Sequence, residues 1–94
     1  MIVYPIYEIY INKGEEKNNL FFKKYNGIKN THYHLFFPVN DDMHQMTKDE
    51  FNYCKQNATL ISKENLLSFF KDSHRRNRKK LINMIEKLNV RDVE

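Results

Sequence analysis

Apolar and polar positions follow two different periods along the chain, and the change comes near residue 46. Residues 2–12 (IVYPIYEIYIN) are rich in β-branched and aromatic side chains and stop at Lys13-Gly14, which predicts a strand. Pro5 has no amide donor, so it belongs either to an edge strand or to an irregular strand start. Residues 20–25 (LFFKKY) and 28–37 (IKNTHYHLFF) flank Asn26-Gly27. Asn-Gly suits the two positive-φ positions of a type I′ turn, so the pair predicts a β-hairpin. Pro38 and the polar Asn40-Asp41-Asp42 then close the β region.

From residue 46 the period becomes helical. Thr47-Lys48-Asp49-Glu50 has the spacing of a capping box, with Met46 and Phe51 placed as a hydrophobic staple. This predicts a helix over 47–56 that turns Phe51, Cys54 and partly Tyr53 inward. Ser62 suits the N-cap of a second helix over 63–71, whose apolar face is Leu66, Leu67 and Phe70. Asp72 or Ser73 would cap a third helix reaching Leu88, with the stripe Leu81, Met84, Ile85 and Leu88 and with Ile82 flanking. Strands first and helices after imply an α+β domain: a three-stranded antiparallel β-meander over 1–40, covered on one face by two or three α-helices over 46–90. Ninety-four residues suffice for one such domain and not for two.

A two-residue Asn26-Gly27 loop pairs Tyr25 with Ile28, Lys23 with Asn30 and Phe21 with His32. One face of the hairpin is then Leu20, Phe22, Thr31, Tyr33, Leu35 and Phe37, the core side. The other carries Phe21, Lys23, Tyr25, Asn30, His32, His34 and Phe36. Aromatic rings interleaved with cations are how a sheet stacks unpaired bases, so Phe21, Lys23, Tyr25, His32, His34 and Phe36 form a secondary candidate binding face. A bland origin competes: Asn, Lys and Ile make up about a third of the chain, a bias that yields such mixed faces without selection.

Charge sharpens the picture more than composition does. The formal net charge is +4, yet residues 1–47 hold five cations and five acids. Residues 71–80 (KDSHRRNRKK) carry six cations against Asp72, leaving a net of −1 for all the rest. Compositional bias toward lysine does not explain why three of the four arginines stand at 75, 76 and 78. Arginine presents a planar fork of donors that fits phosphate or carboxylate. His74, Arg75, Arg76, Arg78, Lys79 and Lys80 are therefore the primary candidate binding residues, set in the opening turns of the third helix. The bland alternative is a solvated helix face.

Catalytic signatures are missing. Cys54 is the only cysteine, so the chain has no internal disulfide and no cysteine metal site, and a reducing, cytoplasmic setting is expected. Neither a glycine-rich phosphate loop nor a nucleophile motif is present, and no apolar run approaches 18 residues. No cofactor, no metal and no membrane contact are expected. The reading is a small non-enzymatic binding module that docks its basic patch on nucleic acid or on a nucleic-acid-processing complex. A second reading turns the patch against the acidic protein surface of a nucleic-acid enzyme, as small inhibitors or adaptors of the phage and plasmid kind do. A third is a His-centred metal-dependent hydrolase built from His32, His34, Asp42 and His44. Exposed Tyr4, Tyr7 and Tyr10, or Phe21 and Phe36, would favour a homodimer.

Overall fold

The computed structural model describes residues 3–12 and 19–91, and its architecture is α+β. Five strands, β1 (Ile6–Asn12), β2 (Asn19–Tyr25), β3 (Thr31–Phe37), β4 (Asp42–Met46) and β5 (Thr59–Ile61), form one antiparallel sheet in the order β4-β3-β2-β1-β5. The helices are α1 (Lys48–Lys55), α2 (Lys63–Lys71) and α3 (Arg78–Glu86). The expected meander is present as β1, β2 and β3. It is extended by β4, which pairs Leu35 with His44 and Phe36 with Met43, and by β5, which pairs Ile9 with Ile61. The β region therefore does not close at Asp42. Both added strands are short, and their sequences carry little alternation to announce them. β1 lies inside the sheet, and Pro5 stands just ahead of it, where no ladder amide is needed.

Helices cover both faces rather than one. On the first face, Ile9, Ile11, Leu20, Phe22, Phe36 and Ile61 meet Leu66, Phe70, Leu81 and Ile85 of α2 and α3 in the larger core. On the second, α1 inserts Phe51 against Tyr10 and Phe21, with Tyr33, Leu35, Met46, Cys54 and Ala58 around it. The Phe51 ring lies 5.6 Å from Tyr10 and 4.9 Å from Tyr33. A strand that buries alternate residues on both sides needs cover on both sides, and Tyr10-Ile11 and Phe21-Phe22 do so.

Local signals set the first two helices. Thr47 and Glu50 form the reciprocal capping box, at 3.1 and 3.0 Å. The Ser62 hydroxyl accepts from the Asn65 amide. Tyr53 points outward instead of partly inward and is 73% exposed. The third helix starts later than its cap residues suggest: Asp72 ends α2 as its C-cap, and the Ser73 hydroxyl donates back to the Phe70 carbonyl. Segment 73–77 is an irregular crossing, and Asn77 is the N-cap of α3. At the far end Lys63 Nζ donates to the carbonyl of Glu86, the last residue of α3, and to that of Leu88 just beyond, placing a cation at the helix C-terminus. Residues 89–91 then return alongside β1, where the Tyr7 amide donates to the Asn89 carbonyl and the Arg91 amide to the Tyr7 carbonyl.

Candidate functional site

The basic segment divides into a loop and a helix start. His74, Arg75 and Arg76 lie in the irregular crossing, whereas Arg78, Lys79 and Lys80 form the first turn of α3. Helical i, i+3, i+4 spacing therefore does not align Arg75 with Arg78 and Lys79. The crossing is anchored instead by its uncharged member: Asn77 Nδ2 donates to the Pro38 carbonyl at 2.8 Å. This bond spends the Asn77 side chain on another loop, so α3 begins without a side-chain cap. It also brings the segment beside the β3–β4 turn, where Asp41 pairs with Lys80. Asp41 has φ 57°, the left-handed conformation that Asp and Asn tolerate better than most residues.

Two shallow depressions mark the patch. One is lined by Val39, Asn40, Arg75, Arg76 and Asn77, the other by 73–76 with Arg78 and Lys79. Arg78 donates to the Lys71 carbonyl at 3.3 Å. The side chains of His74, Arg75, Arg76 and Lys79 have no hydrogen bond or ion pair among the described residues. Three fixed cations thus stand free around a turn, and α3 has no acid in its first turn to neutralise them. Amides at a helix start and arginine forks share a preference for oxyanions such as phosphate.

The secondary face does not assemble. β2 and β3 pair Phe22 with His34, Lys24 with His32 and Leu20 with Phe36. A two-residue turn would place every β3 partner three positions earlier. Five residues, 26–30, separate the strands, closed by the Asn26 amide donating to the Asn30 carbonyl at 2.7 Å. Gly27 takes φ 131°, and Ile28 stands at the tip, 92% exposed. An odd shift exchanges the two faces of a strand. Phe36 therefore joins Leu20 and Phe22 under α2 and α3, and burial of these three rings and chains outweighs the local turn preference. Phe21, Lys23 and Tyr25 face the α1 side, while His32, His34 and Phe36 face the other. Phe21 and Phe36 are core residues, 4% and 2% exposed, and Tyr10 is buried as well. That removes most of the aromatic surface on which a homodimer was expected.

The same shift scatters the histidines. His32 and His34 lie on the α2–α3 face, but His44 and Asp42, opposite Leu35 and Phe37, lie on the α1 face. His44 approaches Asp42 at 3.6 Å and packs edge-on against Phe37. Among the described residues no three His, Cys, Asp or Glu side chains converge as metal ligands. The His-centred hydrolase set is thus split between the two sides of the sheet.

One polar cluster was not legible in the sequence. Glu8 accepts from Tyr10 at 3.0 Å, from Tyr25 at 2.8 Å and from Arg91 at 2.7 Å. Lys23 and Arg91 stack over the Tyr25 ring, 5.2 and 5.1 Å from its centre. Burial raises the Glu8 pKa, but the hydroxyls of Tyr25 and Tyr10 and the charges of Lys23 and Arg91 outweigh it and hold the carboxyl below its ordinary value. Burial, with the neighbouring carboxylate, pushes Tyr10 up to about 12. The ring bodies and paired charges form a stitched surface. Only the long-range pairing of Glu8 with Arg91 would have revealed it, and no local pattern encodes that pairing.

Among the described residues no helix is long and apolar enough to cross a membrane. Comparison with protein-family models, curated proteins and solved structures finds no match.

Proposed function

We propose that the chain is a small non-enzymatic binding module that docks its 74–80 segment on the phosphate backbone of a nucleic acid. The observation that carries this reading is the set of unpaired cations, Arg75 and Arg76 on the crossing and Lys79 in the first turn of α3, gathered where Asn77 pins the crossing to the β3–β4 turn. Pinning matters because a fixed loop loses less conformational freedom when it binds. Contacts to phosphate give affinity and register without sequence selection, so the module binds broadly unless another surface reads bases. Labelled DNA and RNA titrated at two salt concentrations test this. Engagement of three or four phosphates predicts a log–log salt slope of about −3 to −4 on duplex DNA. The triple variant Arg75→Ala, Arg76→Ala, Lys79→Ala should lose the binding and keep its melting temperature. Absence of binding by the intact chain at low salt sinks the proposal.

One observation favours the second reading, an acidic protein surface on a nucleic-acid enzyme. Val39 is 70% exposed and lines the same depression as Arg75 and Arg76. An apolar side chain ringed by arginine suits the centre of a protein interface better than a phosphate backbone. Capture of a protein partner that survives nuclease treatment and is lost in Val39→Asp supports this reading over the first.

A further inference from the structure

The α2–α3 face of the sheet is not covered to its edge. Beside α3, between Met84 on the helix and Leu88 just past its end on one side and Tyr7, Phe22, Lys24, His34 and Met43 on the strands on the other, lies a pocket of about 280 Å³. Cavities of roughly half that size, about 150 Å³, already admit a benzene ring when lined by apolar groups. Five of the seven lining residues are aromatic, thioether or aliphatic, which favours an apolar body. The methionines can adapt to its outline. The other two are polar and differ in kind. His34 Nδ1 is buried and has no hydrogen-bond partner, a situation that ordinarily costs free energy and that a bound polar group would relieve. Lys24 brings an ammonium that leans over the Tyr7 ring at 5.9 Å and faces no acid within the pocket. Burial, with the nearby charges of Lys24 and His32, lowers the His34 pKa from its ordinary value, and the two side chains together offer an ammonium and a hydrogen-bonding ring.

We propose that this pocket binds a small carboxylic acid with a compact apolar body, its carboxylate held by Lys24 and His34 and its body against Phe22, Met43, Met84 and Leu88. A cationic amine of the same shape would meet Lys24 and be rejected. A neutral alcohol could hydrogen-bond to His34 but would gain nothing from the lysine. The basic loop plays no part in this site, because none of 74–80 lines it. The proposal is therefore independent of the docking reading.

Phenylacetate, phenethyl alcohol and phenethylamine serve as probes of matched size, with binding followed by the NMR methyl signals of Met43 and Met84. The expected result is saturable shifts of both methyls with phenylacetate at low-millimolar concentration. The alcohol should bind about tenfold more weakly, the value of one charge-assisted contact, and the amine should give no shift. Lys24→Met should abolish the preference for acid over alcohol while leaving the alcohol response in place. His34→Phe, which satisfies the wall with an apolar ring, should weaken acid and alcohol alike. Equal responses to all three probes, or no shift of either methyl with phenylacetate, would overturn the proposal. The wild-type probe comparison decides the matter even if a variant fails to fold.

Discussion

Arg91 donates to Glu8 at 2.7 Å, tying the last described residue to the third residue of an internal strand. The Glu8 side chain is 13% exposed and that of Arg91 57%. The carboxylate is therefore the hub and the guanidinium an outer clamp. Around it Tyr10 and Tyr25 commit their hydroxyls, and 89–91 adds backbone bonds to Tyr7. Glu8→Ala leaves two part-buried hydroxyls unpaired and should cost about 1–2 kcal/mol. Arg91→Ala loses one exposed ion pair and should cost about 0.5–1 kcal/mol. Thermal unfolding checks the order. Equal effects, or a larger effect for Arg91→Ala, would show that the hub lies elsewhere.

Acid should weaken this clamp. The folded Glu8 pKa lies below its ordinary 4.5, so its contribution to stability is present above that value. It is lost as pH falls through the lower folded value, where the native carboxylate takes up its proton. Melting temperatures of wild type and Glu8→Gln should be well separated at neutral pH and converge at acid pH. A constant separation contradicts the assignment.

Alkali acts through Tyr10. Its pKa is raised from 10.0 to about 12 by burial and by the hydrogen bond and charge of Glu8. The stability it contributes is intact below 10.0 and lost as pH rises toward the folded value. Ultraviolet titration of the phenolates should show one late step near 12, shifted downward in Glu8→Gln. A profile unchanged by that substitution refutes the link.

Helix α1 rests on two residues of different kinds. Thr47→Ala removes the side-chain acceptor of the capping box and should cost about 1 kcal/mol. Phe51→Ala empties the centre of the second core, where the ring is 1% exposed, and should cost about 3–5 kcal/mol. Hydrogen exchange should then show α1 losing protection ahead of the sheet in Phe51→Ala. Uniform loss across the chain would mean that α1 and the sheet unfold as one unit.

Asp41 masks Lys80. Asp41→Asn tolerates the left-handed φ of 57° and removes the negative charge, freeing a further cation beside Arg75 and Arg76. Duplex DNA affinity should rise at low salt, and the salt slope should steepen by about 0.9 for one more phosphate contact. An unchanged slope argues against phosphate docking at this patch.

Much of the helical half was legible because its signals are local. Thr47 and Glu50 lie three residues apart, Ser62 caps three residues before Asn65, and the stripes of α2 and α3 recur within a few turns. Short range lets such contacts form whatever the rest of the chain does. The charge concentration at 74–80 was equally plain. Its shape was not, because the start of α3 depends on Asn77 reaching Pro38, 39 positions away.

The sequence by itself determined an α+β chain with two or three helices, two of them bounded by their own caps, and a single cationic segment on a near-neutral body. Only the tertiary structure decided which residues share a face. The pairing of Leu20 with Phe36 rather than Tyr33 depends on burying Phe36, Phe22 and Ile9 beneath α2 and α3, and a turn dipeptide cannot weigh that burial. One odd shift of register separated His34 from His44, buried Phe21 and Phe36 on opposite sides, and brought His34 beside Lys24 and Met84. Side-chain alternation along a strand is local, but the choice between its two phases is made by the core.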